Sequence, residues 1–512
     1  MKTKFVVLTF ALLSAAWTAS AQLSPQQALK GMMRGINIGN TMEPPTEGAW
    51  GNPPVQERAF DDYKGAGFTA VRIPITWDAH TDTTAPYAVD SAWMARVEQV
   101  VDWGLKRGLF IIINAHHETW LKTSFTAAHI ARFDSIWSQI AARFADRSDS
   151  LIFEIINEPY PMSQKNVDSL NAMVLKIIRR SNPTRIVSFS GYMWSNSDQL
   201  VIAAIPDSSD KYLIGYYHSY DPYPFGLIGT GTYGSFSDLL ATKAKFDQVT
   251  TWSVRNNIPV VLGEFGYIDT ADYNSRMLAY GTVVDQALNH NVAAFAWDDG
   301  GDFPVYDRYT EVFNEVKDIL IHVSPQSPNG LKISQGAGQS IHLTWTNRNA
   351  ESDSIVVERR SGNSGFIRIA MLPPGISLFT DSTTSGGVSY YYRLSVTRSD
   401  STELQSYPIT FKPAVTLVNP GRATAVRFNL SDNYPNPFNP STMIEYSIPA
   451  RSRVTLQVFN TLGQRVAELV NGDEEAGTYD MTFDASGLAS GMYFYRLQAG
   501  TLVETKKMLL LR

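Results

Sequence analysis

Two glutamates stand near the ends of short apolar segments of the chain. Glu158 lies near the end of segment 152–159, and Glu264 near the end of segment 259–266. A protonated carboxyl and an ionised carboxylate about 5 to 5.5 Å apart can cleave a glycosidic bond with retention of configuration, because one protonates the departing oxygen while the other attacks the sugar carbon. The sequence spacing does not show which glutamate donates the proton and which one attacks the sugar carbon.

Polar and aromatic residues also follow or end other apolar segments. A buried strand is almost wholly apolar, and an uncompensated charge inside it is costly, so we expect these side chains to converge on one shared site. They are Asn40 and Glu43 after the first segment, Arg72 in the second, His116 and His117 in the third, Asn157 in the fourth, His218 and Tyr220 in the sixth, and Trp297 in the eighth.

Three of these positions have a second interpretation. Arg72 could pair with a structural carboxylate, although its place in the second segment favours the site. Trp297 could be core packing, although a flat ring at a cleft suits stacking on a pyranose. The residues His116-His117-Glu118 could be metal ligands by type, but they lack the His-Glu-x-x-His spacing that places two ligands on one helix face. We therefore expect neither a metal nor a cofactor.

Strands and helices that alternate along the chain must position these polar and aromatic residues. Across residues 35 to about 321, short apolar runs are followed by longer segments with apolar residues every three to four positions, which indicates parallel β/α units. Eight units over roughly 290 residues fit the α/β class and a closed (β/α)8 TIM barrel, whose site lies at the carboxyl ends of the strands. The predicted strands are 35–40, 70–75, 110–117, 152–159, 186–191, 213–220, 259–266 and 293–300, and the predicted helices are 90–107, 127–147, 165–180 and 273–289.

Several segments resemble glycoside hydrolase family 5. Ile156-Asn157-Glu158-Pro159 and Gly263-Glu264-Phe265-Gly266 are similar to the family's paired motifs, and segments 35–40, 71–74, 113–117 and 218–220 resemble further family segments in the same order. The resemblance covers residues 30 to 320. It implies that Glu158 is the acid/base and that Glu264 is the nucleophile.

The same resemblance implies roles for the surrounding residues. Asn157 would bind the sugar 2-hydroxyl, Arg72 and Tyr220 would hold Glu264 ionised, and His218 would support the pair. Because a general acid must keep its proton near neutrality, we expect the pKa of Glu158 to be raised. Sugar hydroxyls and rings would contact Asn40, Glu43, His116, His117 and Trp297.

The leading hypothesis is a retaining endo-β-1,4-glucanase, a cellulase-like enzyme acting on β-glucan or cellulose. A β-mannanase, or an enzyme that accepts both backbones, is the close alternative, because two glutamates do not distinguish an equatorial from an axial 2-hydroxyl. A noncatalytic glycan-binding surface protein is a further hypothesis, which the presence of both carboxylates disfavours. The catalytic domain is expected at residues 22–325.

Short alternating segments replace the helices after residue 322, which predicts two all-β immunoglobulin-like sandwich modules. The first, at residues 326–415, resembles a fibronectin type III domain in its early Trp345 and its tyrosine-rich segment 390–396, and we interpret it as a spacer. A linker is expected at 416–428. The run Tyr434-Pro-Asn-Pro-Phe-Asn-Pro440 and the Lys506-Lys507 ending resemble the C-terminal sorting domain of the type IX secretion system, at residues 429–512.

The first 21 residues have the order of a cleaved signal peptide: Lys2 and Lys4, an apolar run at 5–13, and Ala19-Ser20-Ala21. We therefore expect export and a secreted or outer-surface location, with the type IX machinery as partner. The formal net charge of -6 offers no basic excess for nucleic acid, and the absence of cysteine excludes disulfides and thiolate chemistry. A monomer is expected.

Overall fold

The computed structural model describes residues 22–336, 339–349, 353–397, 403–414, 427–485 and 487–511. These residues form two compact units. The first runs up to Ser334 and adds Ile341–Asp381 and Val388–Lys412, and the second comprises Gln335–Ser340, Ser382–Gly387 and the chain from Pro413. The predicted signal peptide and nearly all of the predicted linker lie outside the described residues.

The first unit contains a closed barrel of eight strands in which each strand pairs with its neighbours in chain order, all in parallel. The (β/α)8 barrel expected from the alternating segments is therefore confirmed. The strands are β1 Arg34–Asn37, β2 Ala70–Ile73, β3 Phe110–Asn114, β4 Leu151–Glu154, β5 Val187–Phe189, β6 Leu213–Ser219, β7 Val260–Phe265 and β8 Ala293–Ala296.

Several predicted strands extend too far at their carboxyl ends. Glu158 was expected on the fourth strand, yet β4 ends at Glu154 and Glu158 lies in the following loop. Likewise, β3 ends at Asn114 and β8 at Ala296, so the two histidines and Trp297 also follow their strands. Backbone hydrogen bonds between neighbouring segments continue beyond the regular strands, from His116 to Ile75 and from Trp297 to Phe265, and these bonds position the residues that follow the strands.

Helices surround the barrel, and several begin at side-chain caps. Asp90, Thr126, Ser163 and Asp272 each accept hydrogen bonds from backbone N–H groups of the helix that follows. In the described part of the chain, no helix has the length and apolar character to cross a membrane. The helices are α1 Pro25–Gly31, α2 Glu57–Ala66, α3 Ser91–Lys106, α4 Thr119–Thr123, α5 Ala127–Arg143, α6 Gln164–Arg179, α7 Ser197–Leu200, α8 Tyr223–Gly226, α9 Phe236–Asn256, α10 Tyr273–Asn289 and α11 Val316–His322.

One face of each long helix packs on the barrel. In α6 the apolar residues Val167, Leu170, Val174 and Ile178 recur every three to four positions, and all four are fully buried. The strands are buried on both faces, as expected for a parallel sheet covered by helices. This packing fixes the strand ends that carry the polar residues.

Antiparallel strands form the rest of the described chain. A short hairpin, β9 Tyr306–Asp307 with β10 Val312–Phe313, follows the barrel strands. The middle module has the sheets β11-β12-β15 and β14-β13-β16-β17, with β18 pairing β16, and the terminal module has the sheets β19-β20-β23 and β22-β21-β24-β25. Their strands are β11 Asn329–Gln335, β12 Ile341–Thr346, β13 Ile355–Ser361, β14 Ile367–Leu372, β15 Leu378–Asp381, β16 Tyr390–Thr397, β17 Glu403–Gln405, β18 Ile409–Phe411, β19 Asn429–Leu430, β20 Ser441–Ile448, β21 Ser452–Phe459, β22 Arg465–Glu474, β23 Gly477–Asp484, β24 Gly491–Ala499 and β25 Leu502–Leu510.

Candidate active site

Arg72 lies at the centre of the polar cluster inside the barrel mouth. Its side chain is completely buried and donates two hydrogen bonds of 2.6 Å to Glu154 and one of 2.7 Å to Glu264. It also donates 2.9 Å bonds to the amide oxygens of Asn37 and Asn157. Burial opposes the charge of Arg72, but Glu154 and Glu264 raise its pKa overall. Arg72 therefore has both of the roles considered from the sequence, a structural ion pair and a contact with the site.

Glu264 is turned into the cleft by a β-bulge in β7. In the pairing of β6 with β7, Tyr217 lies opposite Leu262 and His218 opposite Glu264, so Gly263 is the extra residue. A Cβ atom at Gly263 would lie 3.1 Å from Nε2 of His218, which explains the value of glycine here. The bulge places a charged residue of a buried strand beside Arg72.

The second oxygen of Glu264 accepts a 2.8 Å hydrogen bond from the Tyr220 hydroxyl. Burial and then the nearby Glu264 charge raise the pKa of Tyr220 well above its ordinary value. Tyr220 therefore remains a hydroxyl donor. With Arg72 on one oxygen and Tyr220 on the other, Glu264 is held in one orientation as a charged acceptor.

Glu158 lies in the loop after β4 with a left-handed backbone, at φ 37°. This conformation is costly for a non-glycine residue and is typical of functional sites. Its Oε1 is 2.9 Å from Nδ1 of His218, whose Nε2 is buried with no hydrogen-bond partner among the described residues. We therefore place the imidazole proton on Nδ1, from which it donates to Glu158.

The pKa of Glu158 differs from the sequence expectation. Burial raises it, but the hydrogen bond and charge of His218, followed by Lys122 and Arg72, lower it overall. The expected raised pKa was therefore wrong. Sequence reasoning could not weigh three neighbouring basic side chains that come from other strands and loops.

The two glutamates face each other across His218. One carboxylate oxygen of Glu158, one of Glu264 and a ring nitrogen of His218 all lie within 4.8 Å of one another. Nδ1 of His218 is 3.5 Å from Glu264 Oε2. This separation suits a carboxylate that attacks the sugar directly, and it is too short for the intervening water that an inverting pair requires.

A second group of predicted residues forms one wall of the cleft. Glu43 is buried after β1, and its Oε1 lies 3.6 Å from Nε2 of His116 and 3.8 Å from Nε2 of His117. Burial raises the pKa of Glu43 to about 8 and lowers that of His117 to about 4, while the pKa of His116 falls well below its usual value. Near neutral pH this wall is therefore largely uncharged, which suits a neutral sugar.

Trp297 and Asn40 complete this wall. The Trp297 indole lies nearly parallel to the His116 ring, with centroids 6.1 Å apart and an interplanar angle of 12°. A Cβ atom at Gly39 would come within 2.6 Å of the indole, so this glycine allows the close approach. Asn40 and Trp297 both line a cleft of about 910 Å³ that also contains Glu158 and Glu264.

All eleven predicted site residues are brought to this one region, but the sequence analysis missed several of their partners. Glu154 stands inward in the otherwise apolar strand β4, and this lone charge is a signal that could have revealed the pair with Arg72. Lys122 donates to the carbonyl of His116, and burial lowers its pKa to about 8. Tyr160 and Trp194 also line the cleft, and single apolar residues in loops give no comparable signal.

Two clusters in the described residues combine histidine with glutamate closely enough to be considered as metal ligands. They are Glu43 with His116 and His117, and Glu158 with His218 and Glu264. In the second cluster a hydrogen bond already joins Glu158 to His218. The two-carboxylate chemistry that this geometry supports uses no metal.

Comparison with known proteins places this geometry in a family. The family model described as cellulase (glycosyl hydrolase family 5) matches residues 32–302, and the secretion system C-terminal sorting domain model matches residues 432–511. The sorting domain expected from the sequence is thereby confirmed. The fibronectin type III resemblance of the segment between them stays a prediction.

Individual relatives resemble the barrel part of the chain. Endoglucanase H of Acetivibrio thermocellus is 44% identical over 311 residues, which are 58% of this chain and 34% of that protein. Endoglucanase B of Clostridium cellulovorans is 34% identical over 58% of this chain and 74% of its own length. The first two curated relatives are much longer, and this chain spans little more than a third of each.

Among solved structures, Thermotoga maritima Cel5A in complex with mannotriose is 31% identical, with a TM-score of 0.56 over 58% of this chain and 99% of that one. The same Thermotoga protein was also solved with cellobiose. More than half of this chain thus matches one family model, and that part carries the barrel and the cleft. The chain belongs to glycosyl hydrolase family 5.

Proposed function

We propose that this protein is an exported, retaining endo-β-1,4-glucanase. The observation that carries the proposal is the pair Glu158 and Glu264, whose carboxylates lie within 4.8 Å across His218 at the mouth of the barrel. Their environments differ, because Arg72 and Tyr220 bind Glu264 while His218 binds Glu158. This asymmetry supports Glu264 as the nucleophile and Glu158 as the acid/base, the two roles that the sequence spacing left open.

In the first step, a Glu264 oxygen attacks the anomeric carbon and forms a glycosyl ester, and the bond to the leaving oxygen breaks as Glu158 donates its proton to that oxygen. In the second step, Glu158 takes a proton from water, whose oxygen attacks the same carbon and releases Glu264 as a carboxylate. Two inversions at one carbon give net retention. The enzyme returns to its starting protonation state.

Glu158 must hold a proton in the first step, although the His218 hydrogen bond lowers its pKa. Burial is already the largest influence on Glu158 and acts in the opposite direction. A bound sugar excludes water and strengthens that influence, so substrate binding favours the protonated acid. Once Glu264 is esterified its negative charge is lost, which eases proton release from Glu158 in the second step.

The remaining site residues bind and orient the sugar in this proposal. Arg72 fixes the Asn157 side chain by a bond to its oxygen, while the Asn157 amide nitrogen, which hydrogen-bonds to Nε2 of His116 at 3.2 Å, keeps a second N–H for a 2-hydroxyl. Trp297 offers a ring face for stacking on a pyranose. Hydroxyl contacts in the same wall come from Asn40, Glu43, His116 and His117.

Glucan is the proposed polymer because similar proteins, such as those of Acetivibrio thermocellus and Clostridium cellulovorans, are endoglucanases by name. Mannan is the second candidate, since the similar Thermotoga protein was solved with mannotriose. Export rests on the sorting domain and on the signal peptide inferred for residues 1–21.

Product release by the full chain tests the proposal on carboxymethylcellulose, mixed-linkage β-glucan, glucomannan and mannan. The matched variants are Glu264→Gln and Glu57→Gln, the latter replacing a half-exposed glutamate on α2. We expect soluble oligosaccharides from the glucans, their loss in Glu264→Gln alone, and a steep fall in viscosity per bond cut. Higher rates on mannan would select the second candidate, and equal activity of Glu264→Gln would reject the assigned nucleophile.

A further inference from the structure

A lysine ammonium group lies in the same cleft as the acid/base. Lys122 belongs to the short helix α4 in the loop after β3, and the next strand of the barrel, β4, precedes the loop that carries Glu158. Both side chains line the cleft. Nζ of Lys122 donates a 2.6 Å hydrogen bond to the His116 carbonyl, and in the described chain it forms no ion pair with a carboxylate. Because no carboxylate neutralises it directly, its charge acts on the groups around it.

Buried contacts hold α4 in this position. The carboxylate of Glu118, the residue before α4, accepts hydrogen bonds of 2.7 Å from the Trp77 N–H and 2.9 Å from the Trp120 indole. Glu118 is completely buried, and its carbonyl accepts a 3.1 Å bond from the Lys122 backbone N–H. These bonds fix α4 to the loop after β2, so the lysine side chain starts from a set position at the cleft.

The floor of the cleft has more carboxylates than guanidinium groups. Arg72 binds both Glu154 and Glu264, so one cation already faces two carboxylates. When Glu158 ionises, a third carboxylate lies within 4.8 Å of Glu264. Among the described residues that line the cleft, Lys122 is the only lysine or arginine. It is therefore the cation in place to balance the third carboxylate.

The titratable groups that interact with Lys122 come from several elements. They are His116, His117 and Glu118 from the loop after β3, Glu154 from β4, Glu158 from the loop after β4, and Glu264 from β7. Burial keeps both imidazoles uncharged near neutral pH by lowering their pKa values, and the buried carboxyl of the third residue does not line the cleft. Burial also lowers the pKa of Lys122 to about 8, and Glu158 is the strongest of the charges that oppose this.

Glu158 has other neighbours, but they act on it differently. Burial raises the pKa of Glu158, whereas His218, Lys122 and Arg72 lower it, in that order. His218 acts through its 2.9 Å hydrogen bond, Arg72 is already bonded to two carboxylates, and the Tyr220 hydroxyl is uncharged. Lys122 forms no hydrogen bond with Glu158, so it acts through its charge alone.

We propose that Lys122 is a positioning residue for the acid/base: its ammonium group stabilises the carboxylate that Glu158 becomes when it gives its proton to the leaving oxygen. The same charge limits the pH range in which Glu158 keeps that proton before the sugar binds. This inference rests on the proposed function, because it requires Glu158 to be the acid.

The expected effect of removing the charge has a definite sign. Lys122, with a pKa of about 8, is charged near neutral pH and below, and it remains charged while Glu158 titrates, because the pKa of Glu158 lies below its ordinary value. An ammonium group favours the ionised form of a neighbouring carboxyl. Without it, Glu158 should keep its proton to higher pH.

The pH dependence of kcat/KM in the full chain tests this role. This quantity follows the ionisations of the free enzyme, and its alkaline limb reports loss of the proton from the essential acid. Lys122→Met removes the charge and the donor, Lys122→Gln removes the charge but keeps an N–H donor, and Lys122→Arg keeps both. Cellopentaose is the substrate, because it is uncharged and its own attraction to an ammonium group does not change with pH.

We expect the alkaline limb to move to higher pH by about half a unit to one unit in Lys122→Met and Lys122→Gln, and to stay within about 0.2 units in Lys122→Arg. Lys243→Met is the matched control, since Lys243 is half-exposed on α9, pairs with Asp247 and does not line the cleft. It loses the same charge and should leave the limb in place.

An alkaline limb that stays in place in both uncharged variants, or that moves in only one of them, would overturn the role of the charge while the proposed function stood. An equal shift in Lys122→Arg would overturn it as well, because packing rather than charge would then be responsible. A wild-type chain that does not cleave cellopentaose would overturn the proposed function and this role together.

Discussion

At the scale of single residues, one guanidinium organises the floor of the cleft. Arg72 contacts Glu154, Glu264 and the amide of Asn157 at the same time. Because Glu154 neutralises much of its charge, Arg72 can hold Glu264 in place without leaving a buried cation unpaired. The nucleophile's second oxygen accepts a 2.8 Å hydrogen bond from Tyr220, with Nδ1 of His218 farther away at 3.5 Å.

Removal of that hydroxyl should weaken catalysis without disturbing the fold. In Tyr220→Phe, Glu264 loses a 2.8 Å charge-assisted hydrogen bond. Such bonds contribute about 1.5–3 kcal/mol, so we expect kcat to fall by about 10- to 100-fold. Steady-state kinetics on a soluble glucan, with the circular dichroism spectrum as a folding control, provide the measurement. An unchanged kcat would show that Tyr220 does not orient the nucleophile.

Glu43 should make stability depend on pH. Burial raises its pKa to about 8 from an ordinary value of 4.5. Between those pH values the folded chain binds more protons at this group than the unfolded chain, so its contribution to stability falls as pH rises and is lost above about pH 8. Gln cannot ionise, so Glu43→Gln should gain stability relative to wild type across this window.

The gain in stability of Glu43→Gln over wild type can be measured by denaturant unfolding at about pH 5 and about pH 9. Each unit of pKa shift corresponds to about 1.4 kcal/mol. The difference in free energy of unfolding between Glu43→Gln and wild type should therefore change by a few kcal/mol between the two pH values. Other buried acids such as Glu118 are present in both proteins and cancel. A difference that does not vary with pH would contradict the neutral state assigned to Glu43.

At the scale of elements, the bulge in β7 determines where Glu264 and His218 lie. A Cβ atom added at Gly263 would meet His218 Nε2 at 3.1 Å and displace it by a few tenths of an ångström. We expect Gly263→Ala to lower kcat/KM about tenfold, because small misplacements of catalytic groups are costly. Gly65→Ala is the control, since nothing lies within 4 Å of a Cβ atom there. Equal activity of both variants would mean that the bulge does not position His218.

The sequence predicted the order of the barrel strands and the end of the barrel that carries the site. It did so because buried parallel strands are apolar, so Arg72 and Glu264 stand out against their neighbours. The ends of the strands were less predictable: the apolar pair Ile155-Ile156 continues past the end of β4, so Glu158 was expected on the strand rather than in the loop after it. Contacts between distant loops, such as Glu43 with His116, form only when the barrel closes. Local sequence spacing therefore could not predict them.

At the scale of the whole molecule, the middle module packs against the barrel, whereas the sequence suggested a spacer. Arg348 in the module donates two 3.1 Å hydrogen bonds to Asp285 on α10. Asn274 on the same helix exchanges two hydrogen bonds with the backbone of Thr410. A Cβ atom at Gly281 would lie 2.9 Å from the Tyr407 ring, so the approach is close.

This packing should contribute to the stability of the catalytic unit. Arg348→Ala leaves Asp285, which is largely buried, without its cation, and we expect the free energy of unfolding to fall by about 1–3 kcal/mol with kcat unchanged. Arg453→Ala, at a 3.9 Å surface pair in the terminal module, should change stability by less than about 0.5 kcal/mol. Thermal unfolding measures both. Equal effects would argue that the module does not support the barrel.

The most direct test of the central claim is covalent trapping of the nucleophile. A 2-deoxy-2-fluoro-β-cellobioside with a dinitrophenolate leaving group should form its ester with Glu264 faster than water removes it, because the fluorine slows both steps whereas the activated leaving group speeds only the first. We expect the intact mass of the full chain to rise by one fluorocellobiosyl group, with peptide mapping placing it on Glu264. An adduct on Glu158, or glucan cleavage with inversion and no adduct, would contradict the two-glutamate retaining mechanism.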